Sequence, residues 1–494
     1  MAFGFFKKNE TADTIFMGGK IFTQNPDFPW VDAVACKDGK VFDVGEYEDL
    51  AELEGKHTEV IDLSGRVMLP GYIDVWGRQA LNSFRESCLF LKDGDLEGVV
   101  SQISEYASAH EEDGIIFAYG YREEILTDVE PEAARSLLDG ICADRPVVVL
   151  GKSGFHCFTN NLALETVRAA AEEDEVKTVT VPYLLGVLDP LNLTAIPKAV
   201  PSAMGDYCER GFTAVFDCGA PEFFASVYQN IMVHLYQEDM LKQRFYGSLL
   251  INRDVNPKAV VQKLSQFRTH CAELDGYIKF QTFTLVLSGA EDDLSISEEV
   301  LEALCLEAGD RGFDVYIDAW GEDAVCAAVD AMSATRSAGY KKNAFTLVHD
   351  QASGSSDLTD TCYHLDITEI IRASDAAGSD APLAGETGKD VPAQSIAGDG
   401  WFCIENARSV EDAIEMLTVN AAQQLGIGAD FGSIEKDKNA DFAVFDENPF
   451  EAKTLSDFKK IKAAMTVVGG KVVYDAEEDD PSSWDLTLIE PEEE

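Results

Sequence analysis

The stretch Met68-Leu69-Pro70-Gly71-Tyr72-Ile73-Asp74-Val75-Trp76-Gly77-Arg78 divides the chain in two kinds of sequence. Leu-Pro-Gly makes a sharp turn, because proline fixes φ and glycine accepts dihedrals that other residues refuse. Tyr72-Ile73 then opens a buried strand, the first of a second domain. Alternate residues of a strand point to one face, so Trp76 and Arg78 share a side at its end.

Upstream, short β-like runs alternate with turns. Thr14-Ile15-Phe16-Met17 meets Gly18-Gly19, and Lys20-Ile21-Phe22-Thr23 follows. Ala33–Cys36 meets Asp38-Gly39, a strong hairpin signal, before Lys40–Val44. Val60–Leu63 meets Ser64-Gly65. Strands this short need others to cover them. Matching runs lie at the far end: Ala440–Phe445, then Ala464–Val468, Gly469-Gly470 and Lys471–Tyr474. The two ends predict one composite β-sandwich, from residues 11–68 and 426–475.

Between them, 69–425 alternates strand and helix. Gly114–Tyr121, Arg145–Leu150, Thr213–Asp217, Tyr277–Phe280, Phe313–Asp318 and Phe345–His349 read as strands. Leu96–His110, Pro131–Leu138, Glu298–Ala308 and Glu322–Met332 read as helices, and Gly312 closes the third of them. The alternation predicts an α/β architecture, either a barrel or a doubly wound sheet. Residues 352–400 fit poorly; the Gly-, Ser-, Asp- and Ala-rich run 373–388 reads as a long loop. Residues 476–494 read as a disordered acidic tail.

Apolar residues make up 46% of the chain, enough for a sizeable core. The net charge of −50 argues against nucleic acid and anionic membranes, which would repel such a field. It reads chiefly as solubility; the other reading is a cationic ligand. Eleven scattered cysteines without a CxxC pair suggest free thiols in a reducing cytoplasm. Met1–Lys8 lacks a signal-peptide pattern, and no apolar run reaches membrane-spanning length.

The dividing stretch resembles the first barrel strand of the amidohydrolase superfamily, roughly LPGfIDsHxH. Residues 13–45 resemble that family's opening. Gly432–Phe445 resembles its GSIepGKxADlvvld, departing at Asp437, where glycine is usual. The chain thus resembles amidohydrolase family 3, the group that includes N-substituted formamide deformylase. The resemblance implies a distorted (β/α)8 TIM barrel beside the β-sandwich. It also implies a homodimer and metal at the C-terminal strand ends, activating water for attack on a non-peptide C–N bond.

The family's metal-binding histidines fall on Trp76 and Arg78, and neither residue can hold a metal. Either Arg78 replaces the metal's charge and holds an anionic group, or the site has decayed and bulky side chains fill it. On strand four, Lys279 matches the family lysine, although Phe283-Thr284 replaces the usual Asp-Gly. On strand five, Asp318 stands where histidine is usual; it would ligate metal or pair with Arg78 or Lys279. His349 on strand six is kept. On strand eight, Gly378-Ser379-Asp380-Ala381-Pro382 matches the family's proton-transferring aspartate. His156 lies one place from a family substrate-binding histidine.

The resemblance therefore implies catalysis by Asp380 and His349 and substrate binding by Arg78, Trp76 and His156. It implies one divalent metal ion, held by some of Asp318, His349, Asp380 and Lys279, or none. The expected function is atypical hydrolysis of a small molecule; the alternative is an inactive barrel kept as a ligand- or partner-binding module.

Overall fold

The computed structural model describes residues 10–80, 88–151 apart from 93, 112 and 128, and 156–170. It further describes 181–188, 196–289 apart from 220, 221 and 275, 294–350, 353–372, 404, 407–481 and 484.

Five strands form first: β1 (Thr14–Phe22), β2 (Trp30–Lys37), β3 (Lys40–Gly45), β4 (Glu59–Asp62) and β5 (Val67–Pro70). The barrel-like unit opens with β6 (Tyr72–Gly77). Next come β7 (Leu89–Phe90), β8 (Ile116–Tyr121), β9 (Val147–Gly151) and β10 (Cys157–Thr159). Then follow β11 (Phe212–Asp217), β12 (Arg244–Ile251), β13 (Ile278–Ser288), β14 (Asp314–Trp320), β15 (Phe345–Asp350) and β16 (Ile367–Arg372). The chain returns through β17 (Phe442–Phe445), β18 (Ala463–Val468) and β19 (Lys471–Asp475).

Both chain ends enter one eight-stranded sheet, in the order β19-β18-β17-β5-β1-β2-β3 with β4 also on β1. Asp38 and Gly39 both have positive φ, as the β2–β3 hairpin signal predicts, and Gly469 and Gly470 repeat this between β18 and β19. Both turns bond to Ala440: its N–H donates to Gly39 O at 3.0 Å, and its carbonyl accepts from Gly470 N at 2.7 Å. The strands of both ends form a single sheet among the described residues.

Asp437, the departure from the family's glycine, sits at φ 71°. A β-carbon is strained there. Asp437→Gly is expected to raise stability by about 0.5–1 kcal/mol, read from urea unfolding. An unchanged midpoint would show that the aspartate side chain compensates locally.

Seven strands, β6 and β11–β16, form a second sheet in the order β16-β15-β14-β13-β12-β11-β6, every neighbour parallel. The sheet is curled. In a flat sheet, β6 and β14 would stand about 19 Å apart, four strand spacings. Instead the Trp76 and Tyr316 ring centroids are 5.3 Å apart. The helical segments Val410–Glu415, Met416–Asn420 and Ala421–Gln424 pack beside β6. No eighth strand lies among the described residues.

The strand-like runs at 114–121 and 145–150 do not join this sheet. They are β8 and β9 of a separate four-stranded sheet, order β10-β9-β8-β7, inserted between β6 and β11. The continuous apolar run Val147–Leu150 is buried as predicted: Val147 and Val149 lie beneath helices of their own unit, Leu96–Ala109 and Pro131–Ile141, and Val148 and Leu150 join the large core cluster that includes the parallel sheet.

The start of the poorly fitting stretch holds a helix, Ser356–Leu365, N-capped by Ser355, and β16 follows; the loop expected at 373–388 lies outside the described residues. One further expectation is corrected. The acidic tail is not detached at its start, since Trp484 packs on Tyr474 and Lys242 lies over its ring. Among the described residues no helix is long and apolar enough to cross a membrane.

Candidate functional site

The C-terminal ends of parallel strands are where a barrel builds sites. Here they carry a buried polar cluster. β6 supplies Asp74, Trp76 and, just past its end, Arg78; β11 supplies Asp217, with Cys218 next; β14 supplies Tyr316 and Asp318. All are buried.

Asp74 accepts from its neighbour Trp76 N at 2.8 Å and from the Tyr207 hydroxyl. Asp217 accepts from Ala80 N at 2.8 Å and Gly219 N at 2.7 Å. Its carbonyl takes the Ser248 hydroxyl at 2.8 Å, and Ser248 in turn accepts from Thr284 Oγ1 at 2.8 Å. The chain of hydroxyls thus ties β11, β12 and β13 together at this level. The Arg78 guanidinium lies 4.8 Å from the Trp76 ring centroid, a cation–π stack. Trp76 and Phe216 both rest on Tyr316, with centroids 5.3 Å away.

Burial dominates the ionisation here. It pushes the Asp217 carboxyl up to about 6; the Ala80 and Gly219 N–H groups and Arg78 oppose that rise, and Asp74 adds to it. Burial likewise raises the Cys218 thiol and the Tyr316 phenol well above their ordinary values. Both are therefore neutral hydrogen-bonding groups at physiological pH.

The Asp217 shift has a stability consequence. The folded chain holds this proton to about pH 6, and the unfolded chain loses it near 3.8. The folded state therefore binds more protons between pH 4 and 6, and stability falls as pH rises through that window. Asp217→Asn is expected to flatten the fall by a few kcal/mol, measured as unfolding free energy at four pH values. The other acids, including Asp314, also raised by burial to about 6, are common to both proteins and cancel. Equal slopes would place the Asp217 carboxyl outside this role.

The expected site residues divide. Trp76, Arg78 and Asp318 meet at the strand ends. His349, at the end of β15, is buried, but both its ring nitrogens are engaged. Nδ1 meets Asp350 O at 2.7 Å and Nε2 meets Glu369 Oε1 at 2.8 Å. Both partners accept, so whichever ring nitrogen carries the proton is closed to a metal, and the other faces an oxygen. Lys279 is misplaced for a ligand. It is exposed near the start of β13, beside Asp314, whereas Val286 is the β13 residue paired with Asp318. Seven residues of strand separate the two levels, about 23 Å. His156 is exposed at the edge of the small sheet, before β10. Asp380 lies outside the described residues.

Among the described residues these donors do not make up a two-metal centre. Among the described residues, the one cluster of three close His, Cys, Asp or Glu donors is Asp32, Glu46 and Glu48, in the terminal sheet and its first helix. At the strand ends stand a guanidinium, Arg78, and an indole, Trp76, neither of which ligates a metal. Tyr316, Asp74, Asp217 and Glu369 were not singled out from sequence. Of these, only Asp217 carried a signal in the sequence, an acid closing a β-like run.

Comparison with known proteins agrees with this architecture. The amidohydrolase family model matches residues 59–361 and 373–474, and the chain belongs to that family. It is similar to the putative amidohydrolase YtcJ of Bacillus subtilis, 24% identical over 93% of this chain and 99% of that protein. It is also similar to N-substituted formamide deformylase of Arthrobacter pascens, 20% identical over 94% and 99%. An uncharacterized metal-dependent hydrolase from Pyrococcus horikoshii superposes with a TM-score of 0.55, at 17% identity, over 89% of this chain and 98% of that one.

Proposed function

We propose that the chain is an atypical amidohydrolase acting on a non-peptide C–N bond of a small molecule. The site is the mouth of a (β/α)8 barrel. One observation carries the reading: a guanidinium is buried among three carboxylates at the C-terminal strand ends, where relatives of this family do their chemistry. A site that had merely decayed would be expected to fill with apolar side chains, because buried charge is costly.

In this reading Arg78 supplies the fixed positive charge of the site. Asp217, titrating near neutrality, and Asp380 are the proton-transfer candidates. The donor set argues against a two-metal centre. The test is a screen of N-formyl and N-acyl amines with elemental analysis of the same preparation. Turnover with fewer than about two metals per chain, abolished in Asp380→Ala, is expected. Two zinc ions per chain, or activity unchanged in that variant, would overturn the assignment.

A second reading is a ligand-binding module without hydrolysis. It is favoured by the occupied nitrogens of His349. Retained binding with no turnover across the screen would select it.

A further inference from the structure

Arg78 is 6% exposed, yet among the described residues none accepts a hydrogen bond from it, and its Nε is buried without an acceptor. The Tyr316 hydroxyl, 2% exposed, is in the same condition. So is Nε2 of Gln79, the residue after Arg78. A buried donor without an acceptor carries its full desolvation penalty. Three such donors, two of them beside the packed rings of Trp76 and Tyr316, are complementary to an acceptor-rich ligand. The nearby acids do not answer this need. Asp74 and Asp217 have oxygens committed to backbone N–H groups and Tyr207. Asp318, the third acid of the cluster, likewise accepts nothing from Arg78 Nε or the Tyr316 hydroxyl, so the acids outnumber the guanidinium yet leave its Nε–H open.

We infer that the mouth binds a small monoanion, a carboxylate or carbamate borne by the substrate, on the guanidinium of Arg78, with the Tyr316 hydroxyl as a second donor. This rests on the mouth being the substrate site. The planar fork of arginine matches two carboxylate oxygens and so orients the substrate that bears them. Trp76 beneath the guanidinium holds it flat and reports on its occupancy.

The test uses the full chain labelled with 5-fluorotryptophan. It has five tryptophans, and Trp76→Phe identifies the Trp76 fluorine signal. The probes are N-acetylglycine and its uncharged partner N-acetylglycinamide, titrated at about 0.5 M NaCl to hold surface screening constant. The acid is expected to shift the Trp76 signal saturably and to bind at least about tenfold more tightly than the amide. Arg78→Lys, which keeps charge but loses the fork, should lower that preference several-fold, and Tyr316→Phe should weaken the acid alone. Arg78→Met should abolish the preference.

Equal binding of acid and amide, or a preference surviving Arg78→Met, would overturn the inference. Where Arg78→Met fails to fold, unchanged preference in both Arg78→Lys and Tyr316→Phe overturns it equally. Acid-selective binding without turnover leaves the anion site standing and removes hydrolysis. Turnover of uncharged substrates with no preference for the acid does the reverse.

Discussion

Asp441→Ala is expected to lower stability by about 3–5 kcal/mol, because it strands a buried guanidinium. Arg244 reaches from β12 into the terminal sheet. Its Nε and Nη2 donate to Asp441 Oδ2 and Oδ1 at 2.7 and 3.0 Å, and the two side chains are only 3% and 4% exposed. The guanidinium is also stacked between Tyr277 and Phe431. Asp441 Oδ1 further accepts from Gly469 N at 2.8 Å, and its backbone carbonyl from Gly71 N at 2.9 Å. One aspartate therefore ties the dividing stretch, the parallel sheet and the β18–β19 hairpin. The expected loss is a large share of a typical domain's 5–15 kcal/mol. Urea unfolding of Asp441→Ala and of Arg244→Met/Asp441→Leu distinguishes the causes. The double variant should recover part of the loss, since no unpaired charge remains. A single-variant loss below about 1 kcal/mol would mean that water reaches the guanidinium.

A second large effect follows from charge. The chain has 89 acidic against 39 basic side chains. Local pairing exists, as where Arg66 bonds both Asp446 at 2.7 Å and Glu477 at 2.8 Å. It cannot offset so large an excess, and self-repulsion destabilises a compact state. Screening shortens the reach of these charges from about 10 Å at 0.1 M salt to about 3 Å at 1 M. Raising NaCl from about 0.05 to 2 M is expected to lift the thermal midpoint on the order of 10 °C. Equal osmolality of sorbitol serves as the control for solvent exclusion. A midpoint that moves no more in NaCl than in sorbitol would show the acids to be far enough apart to ignore one another.

The terminal sheet was legible because hairpin turns write themselves in short sequence: Asp38-Gly39 and Gly469-Gly470 adopt the positive φ their residue types favour. The parallel sheet was legible from βα alternation, except that β8 and β9 carry the same apolar pattern as barrel strands. Burial between a unit's own helices and the main core looks the same in sequence as burial within a barrel wall. At the site, Trp76, Arg78 and Asp318 were legible by strand register. Lys279 was misplaced because β13 runs on to Ser288, so the matched lysine begins the strand and does not end it. Glu369 was hidden in a stretch whose polar composition masked both a helix and a strand.

The composite sheet has a consequence for the order of assembly during synthesis. β1, β2 and β3 leave the ribosome hundreds of residues before β17, β18 and β19 exist to flank them. A nascent chain halted before residue 441 would hold Arg244 without its counter-ion and β5 with one side unzipped. The last tenth of translation thus acts as a latch for what was made first, and ribosome stalling there should favour chaperone capture over folding.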